Sequence, residues 1–175
     1  MKYFKILIIP LILLVILSIS CERDDICPDS TPTTPRLIIN LIDPDADDED
    51  TSKNVFDLVV IGTGNDAVLE GYSIVDVDNI ILPLKTDENT TQYSLIKEAT
   101  VDDDGILNGG NEDIVTINYS REQVYVSRAC GYKTIFKNVT LTIETDTDNW
   151  MLSRQATNDN QSVENETAAH FKVSH

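Results

Sequence analysis

The sequence predicts an all-β protein, an antiparallel β-sandwich of about nine strands, with a small open β-barrel as the alternative. Three observations lead there. Short runs rich in valine, isoleucine, threonine and aromatic residues recur roughly every 8–15 residues, with Gly, Asn and Asp between them. No stretch after residue 20 repeats apolar residues at the i, i+3, i+4, i+7 spacing of an amphipathic helix. The 155 residues that follow residue 20 suffice for one domain with a real core, expected over 36–175, and not for two.

Taken in order, Leu37–Ile42 is an apolar, β-branched run that stops at Asp43-Pro44, and an acidic loop follows to Asn54. Val55–Ile61 is a second strand, with Phe56, Leu58 and Val60 expected on one face. Gly62-Thr63-Gly64-Asn65 is a turn; it lacks the following helix and third glycine of a nucleotide loop. Ile74–Val77 is a short edge strand. Ile80–Leu84 holds Pro83, which suits an edge or a bulge. Thr91–Lys97 alternates around Tyr93 and Leu95, and Asn108-Gly109-Gly110-Asn111 is turn chemistry before the next strand. Ile114–Tyr119 and Val124–Ser127 form a hairpin across Ser120-Arg121-Glu122-Gln123. Tyr132–Phe136 follows, and Val139–Glu144 alternates with Val139, Leu141 and Ile143 inward. Trp150-Met151-Leu152 starts a strand, Thr157–Thr167 is a polar loop, and Ala169–Val173 ends the sheet with His170 outward and solvated.

The first 20 residues are a separate matter. Lys2 and Lys5 precede an apolar run, Ile6–Leu17, then Ser18, Ser20 and Cys21. That is the layout of a secretory signal. The run would make about 18 Å of helix, short for a bilayer. A small residue followed at once by cysteine resembles a bacterial lipoprotein signal, which implies acylation of Cys21 and removal of residues 1–20. The leucine usual three residues before the cysteine is replaced by Ser18, as in the relaxed signals of Bacteroidota. The mature chain is then held to a membrane by lipid without spanning it. Residues 21–35 read as an extended tether, with Pro28, Pro32 and Pro35 excluding helix. Acidic residues just after Cys21 resemble a surface-export signal, so an outer-membrane lipoprotein facing outward is slightly favoured over one facing the periplasm. Asp29-Ser30-Thr31 matches a short O-glycosylation motif, with Ser30 as acceptor.

After residue 20 the chain has 11 basic against 30 acidic residues, a balance of −19. Nucleic acid and anionic headgroups would repel it, so nucleic-acid binding is excluded. With Cys21 lipidated, Cys27 and Cys130 remain in an oxidising compartment. Their simplest pairing is a Cys27–Cys130 disulfide. The alternatives are two free thiols, or a Cys21–Cys27 bridge if acylation fails. There is no CxxC, so thiolate metal binding is not expected.

The segments Cys21-Glu22-Arg23-Asp24-Asp25-Ile26-Cys27, Asn118-Tyr119-Ser120-Arg121, Tyr125-Val126-Ser127-Arg128-Ala129-Cys130-Gly131-Tyr132-Lys133 and Asp146-Thr147-Asp148-Asn149-Trp150 together resemble a flavobacterial family of small exported lipoproteins. That family is classed only as a domain of unknown function. The resemblance implies an all-β exported domain with two cysteines besides the lipidated one, and implies no activity.

Three kinds of site are candidates. Asp102, Asp104 and Asn108, around Gly105, partly match the oxygen spacing of a calcium loop, without flanking helices. Asp43, Asp45 and Asp47 alternate but lack the glycine, and Asp146 and Asp148 read as a turn. Tyr125, Arg128, Tyr132 and Lys133 gather aromatics and cations around Cys130, with Trp150 as the only tryptophan; these are residue types that anchor interfaces. For catalysis there are two histidines, His170 and His175, and neither an H-E-x-x-H nor a G-x-S-x-G motif. The expectation is a non-catalytic structural or accessory envelope lipoprotein, anchored by its N-terminal lipid and acting through a protein partner, with no cofactor. A surface module for glycan or calcium is the alternative.

Overall fold

The computed structural model describes residues 26–48, 50–65, 67–102, 104 and 106–175. Residues 1–25, which include the expected signal at 1–20 and the expected lipidation site Cys21, lie outside them. The described residues form nine strands and no helix: β1 (Leu37–Ile42), β2 (Val55–Gly62), β3 (Val68–Val77), β4 (Asn79–Leu82), β5 (Thr90–Val101), β6 (Leu107–Ser127), β7 (Gly131–Ile143), β8 (Ser153–Ala156) and β9 (Phe171–Ser174). Among the described residues no helix is long and apolar enough to cross a membrane. The chain divides into two compact units. The larger is Pro32–Val124 with Lys133–His175, and the smaller is Tyr125–Tyr132 with the segment up to Thr31.

The larger unit is a β-sandwich. One sheet has the order β4-β1-β9-β8 and the other β3-β2-β5-β6-β7. The pairings are antiparallel except that β1 and β9 run parallel, with Ile39 opposite Phe171 and Leu41 opposite Val173. Alternation explains the core. Leu37, Ile39 and Leu41 of β1, Ile80 and Leu82 of β4, Leu95 of β5, Val115 and Ile117 of β6, Leu141 of β7 and Val173 of β9 are all buried in one cluster. Phe136 is fully buried there, edge-on to Tyr119 at 4.9 Å.

Where alternation fails, a bulge is the cause. Asp57 has a φ of 48°, and the β2–β3 register shifts between Val55 and Leu58. The extra residue moves Val55 and Leu58 inward and leaves Phe56 exposed, against expectation. Asn138, φ 52°, sets Phe136 and Val139 three apart on the inner face in the same way. Glu98, φ 53°, does so for Ile96 and Ala99, which form a second cluster with Val59.

The expected hairpin at Ser120–Gln123 is not a turn; β6 runs through it. The four residues stay polar and pair across to β7: Ser120 Oγ donates to Lys137 O at 3.1 Å, and Gln123 Nε2 to Thr134 Oγ1 at 3.0 Å. The chain reverses instead at Arg128–Cys130, where Gly131 supplies a φ of 69°. Asn108-Gly109-Gly110-Asn111 is likewise strand. A Cβ on Gly110 would sit 2.5 Å from Ile96 Cγ2, so the glycines there serve close packing rather than a turn. The expected strand at Trp150–Leu152 begins at Ser153. Val163, in the loop expected to be polar, is fully buried; it exchanges hydrogen bonds of 3.0 and 2.8 Å with Phe136 and covers the outer edge of β7.

Candidate functional site

The aromatic and cationic residues singled out around Cys130 fall mainly in the smaller unit, and the structure brings some of them together. Cys27 and Cys130 are disulfide-bonded, with Cα atoms 4.9 Å apart. The turn Arg128–Cys130 is closed by the Cys130 amide donating to Ser127 Oγ at 3.1 Å, and the Thr31 hydroxyl lies 3.5 Å from Cys130 Sγ. Thr31 N–H closes a turn on Pro28 O at 2.9 Å, and Ser30 is exposed on it. Tyr125 and Tyr132 flank the hairpin turn and meet edge to face at 5.4 Å, though they are 55% and 65% exposed. Arg128 is exposed at the turn itself. The result is an aromatic pair, fixed by its own stacking and by a covalent staple, presented to solvent with one cation in the turn.

Two expected members are elsewhere. Lys133 belongs to the larger unit, where its Nζ donates to Glu164 O at 3.3 Å. Trp150 is not a surface residue. It is 6% exposed, its Nε1 donates to Leu95 O at 3.2 Å, and its ring stands edge-on to His175 at 5.7 Å. The cause is Asp113, a fully buried acid on the inner face of β6 in phase with Val115 and Ile117. Its two oxygens accept the amides of Trp150, at 3.3 Å, and Met151, at 2.8 Å. Burial pushes the Asp113 carboxyl above the usual carboxylate range, against the lowering effect of those amides. An acid in phase with a run of core positions is a signal the sequence carried, and it marks a loop anchor here.

The calcium loop is a hairpin turn that closes on itself. Asp102 Oδ1 accepts the amides of Asp104, at 3.0 Å, and Ile106, at 2.8 Å. Asn108 Oδ1 takes the Thr100 hydroxyl at 2.9 Å. The Asp102 and Asn108 side chains thus serve the turn's own hydrogen bonds; Asp103 and Gly105 lie outside the described residues. Asp43 is engaged with Lys53 at 3.2 Å, and Asp146 accepts the Asp148 amide at 2.9 Å in the expected turn. Among the described residues no three His, Cys, Asp or Glu side chains gather as a metal site.

His170 is buried, not solvated. Its Nδ1 accepts the Ile38 amide at 3.0 Å, so the proton sits on Nε2, which reaches Asn165 O at 3.1 Å. Desolvation is the main cause that holds His170 below the ordinary histidine range. Beside it Arg36 Nη2 pairs with Glu166 at 2.6 Å. His175 is also buried and lowered chiefly by desolvation. Both rings hold the ends of strands, His170 through Ile38 and Asn165 and His175 through Lys53.

Residues 57–175 match the model of a family of unknown function (DUF6452). The chain belongs to this family. The DUF6452 match takes in the Asn118–Arg121, Tyr125–Lys133 and Asp146–Trp150 stretches and begins inside β2, so β1 and the cysteine-bearing N-terminal segment lie before it. No curated protein and no solved structure matches the chain.

Proposed function

We infer that this DUF6452 chain is a lipoprotein of the bacterial outer envelope, anchored through Cys21, with a non-catalytic structural or accessory role exercised through a protein partner. The observation that carries this reading is the Tyr125–Tyr132 pair. Large aromatics more than half exposed, beside an exposed arginine, are the residue types that anchor protein interfaces. Their edge-to-face contact and the Cys27–Cys130 bridge set the geometry in advance, which lowers the ordering cost of association. The bridge also joins this patch to the segment that leads back to Cys21, so the patch belongs near the anchor. The acidic balance of the chain favours a partner with a basic surface. An outward-facing placement is supported by the acidic residues after Cys21, and the exposure of Ser30 suits it to accept a glycan.

The test is affinity purification of the full-length lipidated protein, gently solubilised from its own envelope, followed by mass spectrometry. The expected result is a stoichiometric protein partner that is lost from a Tyr125→Ala/Tyr132→Ala variant. Recovery of the chain alone would overturn the reading and redirect attention to glycans and small ligands.

A further inference from the structure

One concavity of the sandwich shares no residue with the tyrosine pair. It lies where β3, an edge of the five-stranded sheet, approaches β4, an edge of the other. The Tyr72 hydroxyl bridges the two edges by accepting the Ile81 amide at 2.7 Å. The groove is about 660 Å³, within the range of ligand sites. Its apolar lining is Leu69, Tyr72, Ile81 and Pro83, and its acids are Glu70, Asp76 and Asp78. Past Leu69, Glu70 and Pro83, which both recesses share, it continues into a second recess of about 420 Å³ with Val68, Leu84 and Tyr93 in its wall. One end is therefore acidic and the other mainly apolar.

Two acids of this groove, Asp76 and Asp78, are oriented without being neutralised. Asp76 accepts the Asp57 amide at 3.0 Å; Asp78 accepts the Ser52 hydroxyl at 3.0 Å and the Asn79 amide group at 2.8 Å. All three donors are neutral. Among the described residues none of Glu70, Asp76 and Asp78 is in an ion pair. Two basic residues line the groove: Arg36, in the larger recess, is taken by Glu166 through both Nε and Nη2, and Lys85, in the second, is paired with Glu88 at 3.1 Å. Two preset carboxylates, with Glu70 between them and an apolar wall, complement a ligand that is cationic at one place and apolar at the next. An anion would be repelled. The carboxylates are strung along the groove and do not converge on a point, which suits an extended chain better than a single metal ion.

We propose that the groove between β3 and β4 binds an extended segment of a partner polypeptide in which lysine or arginine adjoins an apolar side chain. The apolar side chain enters the recess by Val68, Leu84 and Tyr93, and the cation lies against Asp76 and Asp78, with Glu70 between.

Isothermal titration of the full-length protein in detergent tests this with a hexapeptide alternating leucine and lysine. Two control peptides replace the lysines by glutamate or the leucines by serine. Saturable binding of the leucine–lysine peptide is expected, with little or none for either control. Affinity should fall by about tenfold or more in Glu70→Lys, whose side chain makes no hydrogen bond in the structure, and in Asp76→Asn/Asp78→Asn, which keeps an acceptor oxygen at each position. Thermal melts of both variants confirm that they are folded. Absence of saturable binding, equal binding of the serine–lysine peptide, or undiminished binding in both folded variants would overturn the proposal.

Discussion

In the larger unit Leu58, Leu95, Val115 and Phe136 are shielded completely from water, whereas in the smaller unit Tyr125 and Tyr132 stay mostly exposed. The sandwich is ordered because two sheets bury their inner faces against each other. Among the described residues the smaller unit has only a hairpin turn and the segment 26–31, too little apolar surface to order itself by burial. A disulfide does that work instead. The difference teaches where binding surface becomes available. Phe136, Tyr119 and Trp150 of the sandwich are committed to the core, while a covalent staple allows an aromatic pair to be held in place and still face solvent.

Removing the staple is the strongest way to break this comparison. Cys27→Ser/Cys130→Ser opens a loop of about 100 residues, for which the chain-entropy model expects a loss of about 4–5 kcal/mol. Urea unfolding measures it. Amide exchange should quicken most around Cys130 while β2 and β5 remain protected. Equal protection around Cys130 in both proteins would show that the bridge does not order the smaller unit. Truncation in the sandwich comes next. Phe136→Ala should cost about 3–5 kcal/mol, and Tyr132→Ala at the exposed pair within about 0.5 kcal/mol. Comparable losses from the two would erase the distinction between core and presented aromatics.

A smaller effect sharpens the account of Trp150. Asp113→Ala strands the amides of Trp150 and Met151 inside the protein, at about 2–3 kcal/mol. Asp113→Asn keeps an acceptor oxygen and removes the desolvated charge, so it should cost less. Tryptophan fluorescence should shift to the red in the alanine variant, since Trp150 is the only tryptophan.

The smallest effect is a pH dependence that belongs to the sandwich. Folded His170 and His175 hold their protons more weakly than the ordinary value of 6.5, chiefly because of burial. The unfolded chain therefore takes up protons first as pH falls. Their contribution to stability is full above 6.5 and declines below it, toward the lowered folded values. Glu164 and Glu166, held below the ordinary 4.5 mainly by hydrogen bonds from Lys137 and Arg36, lose their contribution in a separate window beginning near 4.5. Melting temperature measured from pH 7 to pH 5 should drop, and His170→Gln should remove one of the two contributions. An unchanged slope in that variant would mean that His170 is not among the groups responsible.

The limits of β1 and the start of β2 were legible because an apolar, β-branched run is bounded by proline or acidic loops on both sides. The disulfide was legible because only two cysteines remained once Cys21 was assigned to lipid. The alternating core of β6 and β7 was legible in Val115, Ile117, Val139 and Leu141. The face of Phe56 was not, because one residue with positive φ at Asp57 reverses every side chain before it, and aspartate is as common in loops as in bulges. The turn at Arg128–Cys130 was missed because the polar run Ser120–Gln123 looked more turn-like than it is; cross-strand partners on β7 stabilise it as strand. Trp150 was misplaced because its burial depends on Asp113, a residue 37 positions earlier. Nothing in the local sequence marks Glu70, Asp76 and Asp78 as groove acids, since only the approach of β3 to β4 lines them along one recess.

By itself, then, the sequence determined the all-β class, the approximate strand number and the acidic character, which follow from local pattern and composition, and made Cys27–Cys130 the simplest of the open cysteine pairings. The tertiary structure alone decided the parallel pairing of β1 with β9, the position of each bulge, the burial of His170 and Trp150, and the edge-to-edge groove. Those depend on contacts between residues far apart in the chain, whose free energy comes from partners that no local window contains.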